Sequence, residues 1–163
     1  MKTVNVIYAS TTGATESAAK QVAETLGAKL IPVTDASDAD FDADLIVLGC
    51  STWGAGDLQE DWEDRISILE NAKLKGKKVA LFGLGDQENY ADTFVNAMGT
   101  LYETVTRAGA DVVGKWPTDG YRHTDSTAVV DGAFVGLALD EDNESDLTAE
   151  RIANWCKLVT SQV

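Results

Sequence analysis

The stretch Val4-Asn5-Val6-Ile7-Tyr8-Ala9-Ser10-Thr11-Thr12-Gly13-Ala14-Thr15 decides how this chain folds. Its first six residues form an apolar run of strand length. Beyond it, residues 16–26 repeat Ala18, Ala19, Val22, Ala23 and Leu26 at helical spacing, with Gly27 placed to end the helix. Residues 10–15 therefore sit where a strand hands over to a helix N-terminus. Unpaired backbone N–H groups and the positive end of the helix dipole make an anion the natural occupant of such a place. Ser10, Thr11, Thr12 and Thr15 add hydroxyl donors, and Gly13 lets the backbone bend close to a ligand. A nucleoside triphosphate loop needs a lysine for the outer phosphates; this loop has none and suits a single phosphate bound by neutral donors. The same residue types also make an ordinary helix cap, and the loop alone leaves both readings open.

Working outward, residues 28–33 read as a short second strand, and residues 34–44, with five aspartates, as an exposed loop or short helix. Residues 45–50 are a continuous apolar run of the kind a strand covered on both faces requires. A Gly-rich loop at 51–57 leads to a helix at 58–72 with Trp62, Ile66 and Leu69 on one stripe. A fourth strand at 77–84, a loop at 85–90, a helix at 93–108 and a fifth strand starting at 112–116 follow. From Pro117 the alternation breaks. Residues 118–127 are polar, and Asp131-Gly132 between two apolar runs signals a hairpin, read as an excursion in the fifth strand before Leu139 returns to that strand's end. The last helix spans 147–159, with Asp146 or Thr148 as cap and Ile152, Trp155, Cys156 and Val159 facing inward.

Alternation of this kind implies an α/β fold: a five-stranded parallel sheet with helices on both faces, a three-layer sandwich with an insertion in the last strand, and one domain over 1–163. In such sheets every strand-to-helix loop leaves the same edge, and ligands bind there at the switch in strand order. The loops at 10–15, 51–57 and 84–90 should thus share one rim.

The chain has 163 residues, with 13 Lys and Arg against 27 Asp and Glu, a net charge of −14. That balance argues against nucleic acid or an anionic membrane as partner and for basic protein surfaces. There is no apolar run of membrane-spanning length and no secretory signal, and Cys50 and Cys156 fit two reduced thiols; the expectation is a cytoplasmic monomer. His123, the only histidine, lies in the polar excursion and reads as a surface residue without a catalytic or metal role.

Two rim loops carry a large aromatic, Trp53 and Tyr90. Together these are suited to the two faces of a slot for a flat ring whose phosphate tail reaches the first loop. Here the sequence resembles the flavodoxins, through Ser10-Thr11-Thr12-Gly13-Ala14-Thr15, the segment from Thr52-Trp53-Gly54-Ala55-Gly56-Asp57 to Trp62, Gly83-Leu84-Gly85-Asp86-Gln87-Glu88-Asn89-Tyr90-Ala91-Asp92, and Gly132 to Asn143. The excursion after Pro117 is similar to the insertion of the long-chain subgroup. The resemblance implies strand order 2-1-3-4-5 and a non-covalently bound FMN at the switch point, flavodoxin itself being a standard example of this topology. It also implies that Ser10, Thr12 and Thr15, with backbone groups across Thr11, Gly13 and Ala14, hold the phosphate. Trp53 and Tyr90 would sandwich the isoalloxazine, backbone groups around Leu84, Gly85 and Asp86 would meet its pyrimidine edge, and Thr52 and Asp142 would serve the ribityl and phosphate side. Which of Asp140, Glu141 and Asp142 turns inward is left open. A Gly54–Ala55 peptide able to flip would offer a carbonyl to the semiquinone.

The implied function is a low-potential one-electron carrier shuttling between semiquinone and hydroquinone, an electron-transfer protein and not an enzyme. Like charges in a low-dielectric slot within a strongly acidic protein disfavour the fully reduced anion. The implied partners are basic surfaces of redox proteins such as a flavodoxin/ferredoxin-NADP reductase or a ferredoxin-type oxidoreductase. The alternative is an FMN-dependent NAD(P)H quinone or nitro reductase on the same fold. Against it stand the lack of a second nucleotide fingerprint and of a basic residue in the rim loops.

Overall fold

The computed structural model describes residues 3–9, 13–53 and 57–163, with the side chains of residues 53, 57 and 58 not described. In chain order the elements are β1 (Val4–Tyr8), α1 (Ala14–Leu26), β2 (Lys29–Pro32), β3 (Leu45–Trp53), β4 (Asp57–Leu58), α2 (Glu60–Asn71), β5 (Lys78–Leu84) and α3 (Asn96–Arg107). After these come β6 (Asp111–Val113), β7 (Trp116–Pro117), β8 (Val129–Val130), β9 (Ala133–Phe134), β10 (Leu137–Leu139), α4 (Glu141–Glu144) and α5 (Thr148–Ser161).

The central strands β1, β3 and β5 are mostly apolar, with polar residues at Asn5, Ser51, Thr52 and Lys78, because the sheet is covered on both sides. Successive residues go to opposite faces. Ile46, Leu48 and Cys50 of β3 join Trp62, Leu69, Met98 and Leu101 beneath α2 and α3. Leu45 and Val47 instead join Ala19 and Val22 of α1 and Ile152, Trp155 and Val159 of α5. The sheet runs β2-β1-β3-β5 with parallel pairing. The fifth position is divided: β6 pairs with Lys78–Ala80 of β5, and β10 pairs further along with Phe82–Leu84. This is the expected 2-1-3-4-5 order, with its last strand interrupted between residues 113 and 137.

The interrupting segment is not the open polar excursion that its composition suggested. Its hairpin forms at Asp131-Gly132, both with positive φ (55° and 82°), which aligns Val130 with Ala133. β7, β9 and β8 make a second, antiparallel sheet. Ser126, Ala128, Phe134 and Val135 are buried. His123 is half-buried and not a free surface residue: its ring lies 5.5 Å from Phe94 and 5.1 Å from Phe134. Burial lowers its pKa, against the pull of Asp125.

Other boundaries shift for identifiable reasons. β3 continues through Ser51–Trp53, which falls in the expected loop, because Ser51 still pairs with Leu84 and Thr52 with Leu58 of β4. α3 starts at Asn96, three residues later than its apolar pattern suggests, because Val95 has φ 48° and a helix cannot pass through it. Residues 33–35 and 38–41 are short 3-10 turns; Val33, Ala36 and Phe41 sink into the core between the exposed aspartates, so this segment is not a fully exposed loop. Neither Asp146 nor Thr148 caps α5, because α4 and a 3-10 turn lead directly into it and Leu147 takes the cap position. No helix among the described residues is long and apolar enough to cross a membrane.

Candidate functional site

The parallel sheet leaves a cavity of about 290 Å3 at its C-terminal rim, where β1, β3 and β5 hand over to the segments that follow them. Ala14 and Thr15 line one end. They are the first residues of α1, whose cap Gly13 has φ 92°, a conformation only glycine adopts without strain. The helix therefore begins at the cavity with its first-turn N–H groups, as the strand–loop–helix pattern foretells.

Ser51 and Thr52 reach the cavity from the end of β3. Thr52 Oγ1 accepts from Ala97 N–H at 3.1 Å, capping the first turn of α3. Ser51 Oγ is buried and has no protein partner, and the same holds for Thr93 Oγ1, which also lines the cavity. Buried hydroxyls normally find a partner, so two unpaired ones lining one cavity mark a place for a polar ligand.

Leu84, Gly85, Asp86 and Tyr90 line the next wall. A Cβ on Gly85 would lie 3.0 Å from both Phe94 Cδ1 and Val95 N, so a larger residue here would push these segments apart by a few tenths of an ångström. Tyr90 is the one large hydrophobic residue among the described residues that stays exposed, at 46%. Its N–H donates to Asp86 O at 3.0 Å and its carbonyl accepts from Thr93 N–H, so an ordered turn presents the ring. Asp86 organises that turn. Burial works to raise its pKa, but hydrogen bonds from the Asn89 N–H, the Asn143 and Asn89 side chains and the Glu88 N–H outweigh it and hold the carboxyl at about 2.

The last wall is Glu141 and Asp142. The sequence left Asp140, Glu141 and Asp142 undistinguished, and the structure separates them. Asp140 is fully buried and turned away: its carboxylate caps α4 through the N–H groups of Asp142 and Asn143 and accepts from Gln87 N–H. Asp142 faces the cavity, where burial first, then the charges of Asp86, Asp140 and Glu141, raise its pKa.

Of the expected site residues, Ala14, Thr15, Thr52, Leu84, Gly85, Asp86, Tyr90 and Asp142 come together around this one cavity, with Gly13 adjoining. Ser10, Thr11, Thr12, Gly54 and Ala55 lie outside the described residues, as does the side chain of Trp53. Ser51, Thr93, Phe94 and Val95 also line the cavity and were missed by the sequence reading, while Glu141, one of the three acids left open, lines it beside Asp142. Assigning residues 93–95 to a helix concealed three of them; Ser51, next to Thr52 on an apolar strand, was the one with a legible signal. Among the described residues no Lys or Arg lines the cavity, and Asp86, Glu141 and Asp142 give it an acidic wall.

Comparison with known proteins agrees with this geometry. The flavodoxin family model matches residues 6–155. The chain is 46% identical to a flavodoxin of Trichodesmium erythraeum, over 99% of this chain and 98% of that one. It is 42% identical to flavodoxin 1 of Escherichia coli, over 100% and 96%. Its fold superimposes on the crystal structure of Fusobacterium nucleatum flavodoxin bound to flavin mononucleotide with a TM-score of 0.94, at 30% identity and 99% coverage of both chains. A match of this extent, over a cavity at the rim where the family's fold binds its ligand, means that the chain belongs to the flavodoxin family.

Proposed function

We propose that this chain is an electron carrier that holds FMN non-covalently in the rim cavity and exchanges electrons with redox partner proteins. The observation that carries the reading is the cavity itself, which is lined by a helix N-terminus, an exposed tyrosine and two buried hydroxyls with no protein partner. These residues fit the group. A phosphate is suited to the start of α1, ribityl hydroxyls to Ser51, Thr93 and Asp142, and a flat ring to the face of Tyr90.

Bound FMN supplies the electron-accepting ring; the chain supplies its surroundings. In this reading Gly13, Ala14 and Thr15, with Ser10, Thr11 and Thr12, anchor the phosphate. Trp53 and Tyr90 would flank the ring and exclude water. Leu84, Gly85 and Asp86 would meet its polar edge through the backbone, and the Gly54–Ala55 peptide would offer it a carbonyl. The acidic wall and the net charge of −14 disfavour added negative charge, which lowers the potential at which the second electron enters. A cavity with no cation among its described lining residues also supports a carrier over a reductase that must seat a nicotinamide dinucleotide. Basic partner surfaces, such as those of a flavodoxin/ferredoxin-NADP reductase or a ferredoxin-type oxidoreductase, suit the same charge. A monomer agrees with Tyr90 as the one exposed large hydrophobic residue among those described, and a cytoplasmic location agrees with two free, buried thiols at Cys50 and Cys156.

The test is a titration of FMN with the FMN-free chain followed by flavin fluorescence, then anaerobic reduction of the loaded protein. Quenching at one FMN per chain and two separated one-electron steps are expected. No quenching, or prompt bleaching by NAD(P)H alone, would overturn the reading.

A further inference from the structure

Gln87 follows Asp86 in the cavity wall but does not face the cavity, and its side chain is fully buried. Gln87 reaches three separate parts of the chain, one through its backbone N–H and two through its side-chain amide, which both donates and accepts. Its backbone N–H donates to Asp140 Oδ2 at 3.1 Å. Its Nε2 donates to Glu144 Oε1 at 2.5 Å, and its Oε1 accepts from Arg122 N–H at 2.6 Å. Glu144 in turn pairs with Arg151 at 3.1 Å, and the Arg151 guanidinium lies 4.3 Å over the Tyr121 ring. A closed circuit thus runs from the cavity loop through α4 and α5 into the segment that interrupts the fifth strand, and back to Gln87.

We propose that Gln87 is a positioning residue: through it the inserted segment holds the turn that carries Asp86 and Tyr90 in the geometry the cofactor requires. The inference rests on the reading that the cavity takes FMN. Its physical basis is the direction of each bond. Glutamine donates to a carboxylate and accepts from a backbone N–H at once, which a glutamate of the same length does only after taking up a proton. A glutamate here keeps the bond from Arg122 but turns an oxygen toward Glu144. Two carboxylates in a buried site share one proton in preference to ionising together. The charged or titratable groups around the position are Asp86 and Glu88 on its own loop, Asp140 at the cap of α4 and Glu144 on it, Arg151 on α5, and Tyr121, Arg122 and His123 on the inserted segment. Arg151 already serves Glu144, and Arg122 pairs with Glu88 at 3.2 Å.

The experiment compares the FMN-loaded wild type with Q87E, E144Q and the double swap Q87E/E144Q, measuring the rate of FMN release across pH and the amide exchange of residues 88–90. Expected for Q87E is release faster by about tenfold at about pH 8, with matching loss of protection at 88–90. The difference should shrink toward about pH 5, where a shared proton restores a donor to Glu144. The double swap puts a donor amide opposite a carboxylate again and should return the rate to within about threefold of wild type. Release from Q87E at the wild-type rate at every pH, or a double swap as fast as Q87E, would overturn the proposal. Should Q87E not fold, the wild type decides alone: the amides of Arg122, Gln87 and Tyr90 should open together, and opening rates of Arg122 and Tyr90 that differ by more than about tenfold would refute the coupling. A wild type that takes up no FMN would sink the functional reading and leave this exchange arm standing separately.

Discussion

Replacing Tyr121 by phenylalanine tests whether the inserted segment is bound into the main sheet or merely lies on it. The Tyr121 hydroxyl accepts from Trp116 Nε1 at 3.0 Å and donates to the carbonyl of Ala138 in edge strand β10. Its ring lies 5.0 Å from Phe134 and 5.8 Å from Phe94, beside the cavity. Phenylalanine keeps those contacts and the Arg151 stacking but leaves an indole N–H and a carbonyl without their partner. Each abandoned group costs about 1–3 kcal/mol when buried. Trp116 is only half-buried and can find water, so about 2 kcal/mol is expected in total, a fall in Tm of about 4–8 °C for a chain of this length.

The same hydroxyl gives the prediction a second, independent arm. Burial, opposed by the Arg151 charge and the Trp116 bond, pushes the Tyr121 pKa from 10.0 up to about 12. The folded state therefore resists an ionisation that the unfolded chain undergoes readily. The associated stability is complete below pH 10 and is lost as the pH rises through about 12, up to about 2.7 kcal/mol. The assay is urea unfolding of wild type and Y121F at fixed excess FMN from about pH 8 to about pH 12, with tryptophan fluorescence as the probe. Y121F should start less stable and lose less on the way up, so the two curves converge. Parallel curves, or equal midpoints at about pH 8, would refute the claim that this hydroxyl ties the segment to β10.

Other substitutions separate backbone, charge and stacking effects. A Cβ at Gly132 meets nothing within 4 Å, so G132A isolates the cost of an L-residue at φ 82° and should destabilise by about 1–2 kcal/mol in urea without changing FMN affinity. Asp86, held at about 2 against an ordinary 3.8, contributes stability that is present above pH 3.8 and disappears as the pH falls toward 2; D86N should flatten that part of the acid-unfolding curve. Asp142 has the opposite sign. With its pKa raised, its contribution is complete below 3.8 and declines as the pH rises, so D142N should stabilise the FMN-free chain at neutral pH and shift the potential of the second electron upward in spectroelectrochemical titration. Y90A should weaken FMN binding about tenfold or more by fluorescence titration, since an exposed ring that covers no core has its worth in stacking.

The sheet was legible because two-sided burial writes itself into composition. Runs such as Leu45-Ile46-Val47-Leu48 have no other economical explanation, and Asp131-Gly132 names its own turn. The rim loops followed from topology, since strand ends must carry them, and the individual residues on them from the family resemblance. What was not legible depended on contacts between distant residues. Nothing near Val95 announces a left-handed backbone in a β-branched residue, so the start of α3 and the cavity-lining role of residues 93–95 were hidden. Asp140 and Asp142 differ only in which way a short helix turns them, and Gln87 reads as one polar loop residue among many. Its importance comes from Asp140, Glu144 and Arg122, which lie 35 to 57 positions away.

Those distances also give the divided fifth strand a physical rationale. β6 and β10 together cover the flank of β5, yet each is only three residues long, and β10 lies at the edge of the sheet. An edge strand of this length is weak alone. Tyr121 closes it by accepting Trp116 and donating to Ala138, and Gly136 is forced to be glycine because a Cβ there would stand 2.1 Å from Leu81 O. β10 runs straight into Asp140, whose carboxylate receives Gln87 N–H. The segment that interrupts the strand is therefore what fixes the strand's end, and the strand's end is what fixes the cavity loop. An insertion that only decorated the surface would leave FMN release unchanged when its buried contacts are cut, whereas one built in this way transmits each cut to Asp86 and Tyr90.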